Sequence, residues 1–158
     1  MKVAKSIAGV TALVLLAVAA ARPIAQTGGV QAEVLKDLAN NRETMLKIAD
    51  AMPEEKFLFK ATAAERTYGE QIMHVAGGNV SLFTLLGAKV AAPTINQKAT
   101  AKADVLKALA ESYDFGIAVV KEQNDQSLLQ TVEGPKFLGA SSRLRVVNFA
   151  IAHAAVGQ

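Results

Sequence analysis

Two histidines, His74 and His153, are the residues of this 158-residue sequence whose side chains best suit chemistry. A neutral imidazole is the commonest protein ligand for a transition metal and titrates close to neutral pH. There is no cysteine, which removes thiolate zinc sites, cysteine nucleophiles and iron–sulfur clusters. A zinc ion accepts two imidazole nitrogens together with a carboxylate oxygen and water. Glu70, one turn before His74, is the nearest carboxylate in sequence. It also stands three residues after Thr67, in the T-x-x-E pattern of a helix capping box, and that role competes with ligation. No G-x-S-x-G elbow, phosphate-cradling glycine loop or H-E-x-x-H pair offers another nucleophile or base at motif spacing.

The surroundings of the two histidines differ. At about 100° per residue, His74 lies about 200° from Ile72, away from the apolar centre set by Tyr68, Ile72, Val75, Phe83 and Leu86. Its wheel neighbours are Glu70, Gly77, Gly78 and Ser81, with Leu85 the apolar exception. Each glycine inside a helix costs about 1 kcal/mol relative to alanine. The pair therefore leaves room beside the imidazole for a ligand or another helix, unless His74 is simply a solvated residue. His153 is flanked by Val146, Phe149, Ala150, Val156 and Gly157 and is expected to be buried. A buried imidazole needs a backbone carbonyl, a carboxylate or a metal for its nitrogens. If both histidines bind one ion, their rings must converge; if neither does, one is solvated and the other bonded to backbone.

Four helices position these side chains. The first spans Gln31 to Met52, with Leu35, Leu38, Ala39, Met45, Leu46, Ala49 and Met52 as its stripe, and Pro53 ends it. Arg42 falls inside that stripe and is expected to lay its stem on apolar surface with its head wet, an anion-binding role being the alternative. The second helix starts at the Thr67–Glu70 box and runs to Gly87. A loop at Ala91 to Lys98 leads to a third helix capped by Thr100 and lined by Leu106, Leu109, Tyr113, Ile117 and Val120, ending near Gln123. Asn124 to Ala140 reads as a long irregular connection. Ser141 or Ser142 caps the fourth helix, which is apolar almost all round and is expected to be central. The absence of period-two alternation excludes a sheet, so the expected class is all-α, a four-helix bundle.

The segment Ala63 to Gly87, AAERTYGEQIMHVAGGNVSLFTLLG, resembles the second helix of DinB-like proteins, which carries H-(V/I)-A-G before an apolar run. Pro53-Glu54-Glu55-Lys56-Phe57 and Phe59-Lys60 resemble that family's preceding linker, and RLRVVNFAIAHAAVGQ resembles the start of its H-x-x-x-H-Y-G-Q helix. The resemblance implies a bundle whose histidines bind a divalent metal such as zinc or nickel, with His74 and His153 as ligands. The family's third histidine falls at position 157, where this chain has Gly157, so the resemblance also implies a site short of one ligand. It further implies a metal-dependent hydrolase or transferase acting on a small molecule, the ion serving as a Lewis acid on a bound thiol or water. The alternative is a non-catalytic helical module with an incomplete site.

Residues 1–25 have the layout of an export signal: Lys2 and Lys5, an apolar run from Ile7 to Ala21, then small residues with cleavage favoured after Ala25. The expected product after cleavage is periplasmic or secreted, comprises residues 26–158 and is free of the membrane; the alternative is an uncleaved apolar run that stays as a membrane anchor. Three of the 17 basic residues, Lys2, Lys5 and Arg22, precede residue 26, leaving 14 against the 14 acidic ones. A neutral remainder argues against a nucleic-acid partner, which would call for a basic face. The last helix lacks a stop signal beyond Gly157-Gln158, as in a bundle truncated at its C-terminus. Such an end would leave apolar surface for a second copy to cover in a homodimer.

Overall fold

A computed structural model describes residues 28–156; the expected signal peptide lies outside the described residues, as do Gly157 and Gln158. Four long helices carry the fold: α1 (Val30–Ala51), α2 (Tyr68–Thr84), α3 (Lys102–Lys121) and, at the end of the chain, a helix at Arg143–Val156. A four-residue helix, α4 (Asp125–Leu128), precedes that last helix, which is therefore α5. The architecture is all-α apart from a two-residue antiparallel ladder, β1 (Thr131–Val132) with β2 (Ser141–Ser142). The principal contacts are α2 with α3, α1 with α3, and α5 with both α1 and α2. No helix among the described residues is long and apolar enough to cross a membrane.

Helix α2 begins where the sequence places it. Thr67 Oγ1 accepts from Glu70 N at 3.1 Å and Glu70 Oε2 accepts from Thr67 N at 2.7 Å, closing the capping box. It is extended only to Thr84, and Gly87, at φ 71°, turns the chain in a conformation that favours glycine. The stripe of α1 is shifted from the expected one, since Val34 is buried and Ala39 exposed. Between Leu38 and Met45 its inner face is polar. Asn41 Oδ1 accepts from the buried Tyr113 hydroxyl at 2.5 Å, and Arg42 grips Asp114 with two bonds of 2.8 and 3.0 Å. Arg42 is thus committed to an interhelical ion pair.

Three expectations are corrected. Thr100 does not cap α3; the N-cap is Ala101, without a side-chain cap, and Asp104 supplies negative charge in the first turn. The connection after α3 is ordered by its own polar side chains. Asn124 and Ser127 form a reciprocal capping box around α4, and Asp125 Oδ1 takes Gln31 N at 2.8 Å, closing the start of α1 from a distance. Finally, α5 is not the central helix. Val146, Val147, Ala150 and Ala154 are buried, but Arg145, Asn148 and Ala152 are exposed. The more enclosed helix is α3, which buries Val105, Ala108, Leu109, Ser112, Tyr113, Phe115, Gly116, Val119 and Val120. Alanine makes a helix look apolar on every face of a wheel, yet it loses little when left in water.

The start of α5 is fixed by Arg143. Its Nε donates to Leu86 O at 2.9 Å, just past the end of α2, and its Nη1 donates to Ser127 O at 3.2 Å and Gln130 Oε1 at 2.8 Å. Ser142 Oγ accepts from Arg145 N at 3.2 Å, supplying the serine cap. With the start of α5 tied to the end of α2, the helices run antiparallel. His153, ten residues into α5, lies about 15 Å along it at 1.5 Å per residue. From Leu86 back to Gly78 and His74 along α2 is about 12 and 18 Å, so His153 arrives between them.

Candidate metal centre

The structure brings His74 and His153 together, with ring centroids 5.1 Å apart and an interplanar angle of 63°. Phe149 also stacks on the His153 ring at 5.9 Å and 26°, and Phe137 packs against Phe149 at 5.4 Å. Gly78 permits the approach. A Cβ added there would stand 3.2 Å from His153 Cε1 and 3.5 Å from Nδ1, tighter than comfortable contact. Gly77 plays the same part for the loop before α3, since an added Cβ would lie 2.7 Å from Gln97 Nε2. The two glycines thus make room in two directions, toward α5 and toward the loop.

Both histidines are partly buried, and His153 Nδ1 is fully enclosed without a hydrogen-bond partner among the described residues. An enclosed, unsatisfied nitrogen costs about 1–3 kcal/mol, so a group able to accept a proton donor or an ion is held there against a penalty. For His74, burial lowers the pKa below its ordinary value, and the Arg66 guanidinium and the neighbouring His153 ring lower it further. This favours the neutral imidazole, the form that ligates a metal.

The ring spacing is compatible with a divalent ion shared by the two imidazoles. With zinc–nitrogen distances of about 2.0–2.1 Å and tetrahedral angles, two imidazoles on one ion place their centroids roughly 5 Å apart. Glu70 stays where the capping box puts it: its carboxylate accepts from Thr67 N, faces Lys60 Nζ at 3.9 Å, and has a lowered pKa, chiefly through the Thr67 backbone bond. Among the described residues no group of three His, Cys, Asp or Glu is placed to hold a metal together, so Glu70 does not close a three-residue set with the histidines.

On its other side His74 opens onto a groove of about 490 Å³. Gly77, Gly78 and Ser81 of α2 form its floor, while Val80, Pro93, Ile95 and Gln97 wall it. Ser81 Oγ is already used, donating to Gly77 O at 2.9 Å. Gln97 belongs to the segment read from sequence only as a loop. A glutamine between Asn96 and Lys98 carries no pattern that would single it out, and its close approach to the bare backbone at Gly77 is visible only in the structure.

A helical bundle in which two helices present facing histidines beside a groove defines a class of candidate metal-binding domain. The model of the DinB superfamily matches residues 37–156, and the chain belongs to that superfamily. Among solved structures, a DinB-like protein from Bacillus cereus ATCC 10987 superimposes with a TM-score of 0.68 at 13% identity, covering 78% of this chain and 83% of that one. At that identity the likeness concerns the fold. None of the curated proteins matches the sequence.

Proposed function

We propose that this chain is an exported DinB-superfamily protein that holds one divalent metal ion, zinc or nickel, between His74 and His153 and uses it in hydrolase or transferase chemistry on a small molecule. The observation that carries this reading is the 5.1 Å approach of the two rings, with Nδ1 of His153 enclosed and unsatisfied. The ion would act as a Lewis acid, lowering the pKa of a bound water or thiol. The protein's own part is positional. Burial and Arg66 favour an unprotonated His74, Phe149 and Gly78 fix the plane of His153, and the groove admits substrate beside His74. The charged start and apolar run of residues 1–25 support export, which would put the reaction outside the cytoplasm.

A second reading, a helical binding module without catalysis, is favoured by one observation: the Glu70 carboxylate serves the capping box. A site of two histidines and solvent binds metal more weakly than a set of three protein ligands. The two readings share their test. Metal analysis of the purified protein after zinc or nickel loading is expected to give one ion per chain, lost in His74→Ala and in His153→Ala. A parent protein that retains no metal after loading removes the first reading.

A further inference from the structure

The groove beside His74 holds the second piece of chemistry on this molecule, and its lining is unusual for what it omits. Among the described residues none of its side chains is an acid, a lysine or an arginine. It is an open groove of about 490 Å³ in which apolar and polar side chains share the lining. The wall is Val80, Pro93 and Ile95. The groove's polar side chains are His74, Ser81, whose hydroxyl donates to Gly77 O, and Gln97, whose carboxamide has no hydrogen-bond partner among the described residues. A carboxamide offers donors and an acceptor in one plane and so pairs with another amide or with an ester carbonyl.

Charge decides the ligand class. With no metal bound, a charged group entering this groove would meet no counter-charge in its lining. No acid lines the groove to receive an ammonium group. The cation that bears on His74, Arg66, lies outside the lining and donates to Gln71 Oε1 at 3.4 Å.

We propose that this groove binds an uncharged small molecule bearing an amide or ester carbonyl, with its apolar part on Val80, Pro93 and Ile95 and its carbonyl group at Gln97, beside His74. This deepens the metal-site reading by naming the substrate class, and rests on it only for what happens to the carbonyl afterwards. Gln97 is a binding residue here. Its amide reaches the groove because Gly77 has no side chain.

Three probes of matched size separate the possibilities: acetanilide, phenylacetate and phenethylamine, which are neutral, anionic and cationic at neutral pH. Each is titrated into ¹⁵N-labelled protein treated with chelator, following the amide signals of Gly77, Gly78 and Ser81 and the Gln97 side-chain NH₂. Acetanilide is expected to shift these signals with millimolar affinity, at least fivefold tighter than either charged probe. Gln97→Leu should weaken it about three- to tenfold while leaving the spectrum of the core unchanged, since Gln97 is exposed. The proposal is overturned if phenethylamine or phenylacetate binds as well as acetanilide, if no probe moves the groove signals, or if Gln97→Leu has no effect. Because the titration is done without metal, its failure is distinct from a failure of zinc loading. A protein that binds zinc but not acetanilide loses only the substrate class, and one that binds acetanilide but not zinc loses only the ion.

Discussion

Placing an alanine at Gly78 sets two effects of known size against each other. In a helix interior, glycine to alanine contributes about 1 kcal/mol of stability. The new methyl, however, would stand 3.2 Å from His153 Cε1, where comfortable carbon–carbon contact is about 3.5–4.0 Å. The imidazole must then retreat by roughly 0.3–0.8 Å to restore that contact. That shift presses the ring against its stacking partner Phe149, at 5.9 Å between centroids, and offsets the gain from alanine. Global stability should therefore change little, within about 3–5 °C of the parent melting temperature. Metal binding should respond strongly, because a ligand set tolerates displacements of only about 0.2 Å. Zinc affinity is expected to fall about ten- to a hundredfold, the range found when the supports of a ligand are disturbed. Gly77→Ala is the control: its methyl meets the end of an exposed glutamine, which can swing away, and zinc affinity should hold. The assay is thermal unfolding by circular dichroism together with competitive zinc titration of both variants. A Gly78→Ala protein that melts higher and binds zinc as tightly as the parent would refute the reasoning, since His153 could then be moved without consequence for the ion.

Two further expectations concern the frame around the site. Burial pushes the Tyr113 phenol up to about 12, against a smaller lowering by Asn79, while an unfolded tyrosine ionises near 10. Because the folded chain holds its proton to higher pH, this contribution to stability is complete below pH 10 and is lost as pH rises from 10 through 12, roughly 3 kcal/mol in all; ultraviolet titration showing Tyr113 ionised reversibly near pH 10 in the folded protein would contradict it. Arg143→Met leaves Leu86 O and Ser127 O without their donor and should lower stability by about 1–3 kcal/mol in guanidinium chloride unfolding; an unchanged midpoint would show that the arginine does not secure α5.

Much of this arrangement is legible in the sequence because its signals are local. Thr67 and Glu70 specify the start of α2 within four residues, and the Gly77-Gly78 pair marks a close approach beside His74 without saying what approaches. The turn from Asn124 to Ala140 is misread for the opposite reason. Its order comes from Asp125 reaching Gln31 and from Arg143 reaching Ser127 and Gln130, bonds between residues that no periodicity connects. The rank of α5 is misjudged because hydrophobic pattern records which residues tolerate burial and not which receive it. Ala152 is as apolar as Ala150, yet one faces solvent and the other the core. Gln97 escapes notice altogether, since its place depends on a glycine twenty residues earlier.

The two consecutive glycines are the point where local and global demands on α2 conflict. Together they disfavour the helix by about 2 kcal/mol relative to two alanines, and neither has a positive φ that would require glycine. The sequence tolerates that loss at the one turn of α2 that faces both α5 and the loop before α3. Each glycine admits a single polar side chain, His153 in one case and Gln97 in the other, and both arrive next to His74. Had the purpose been close helix packing alone, an apolar residue would serve better at position 153, because burying an imidazole nitrogen without a partner is unfavourable. A helix weakened in this way, for contacts that are themselves polar, is what the proposed site requires, since local rules are broken most readily where binding is favoured over stability.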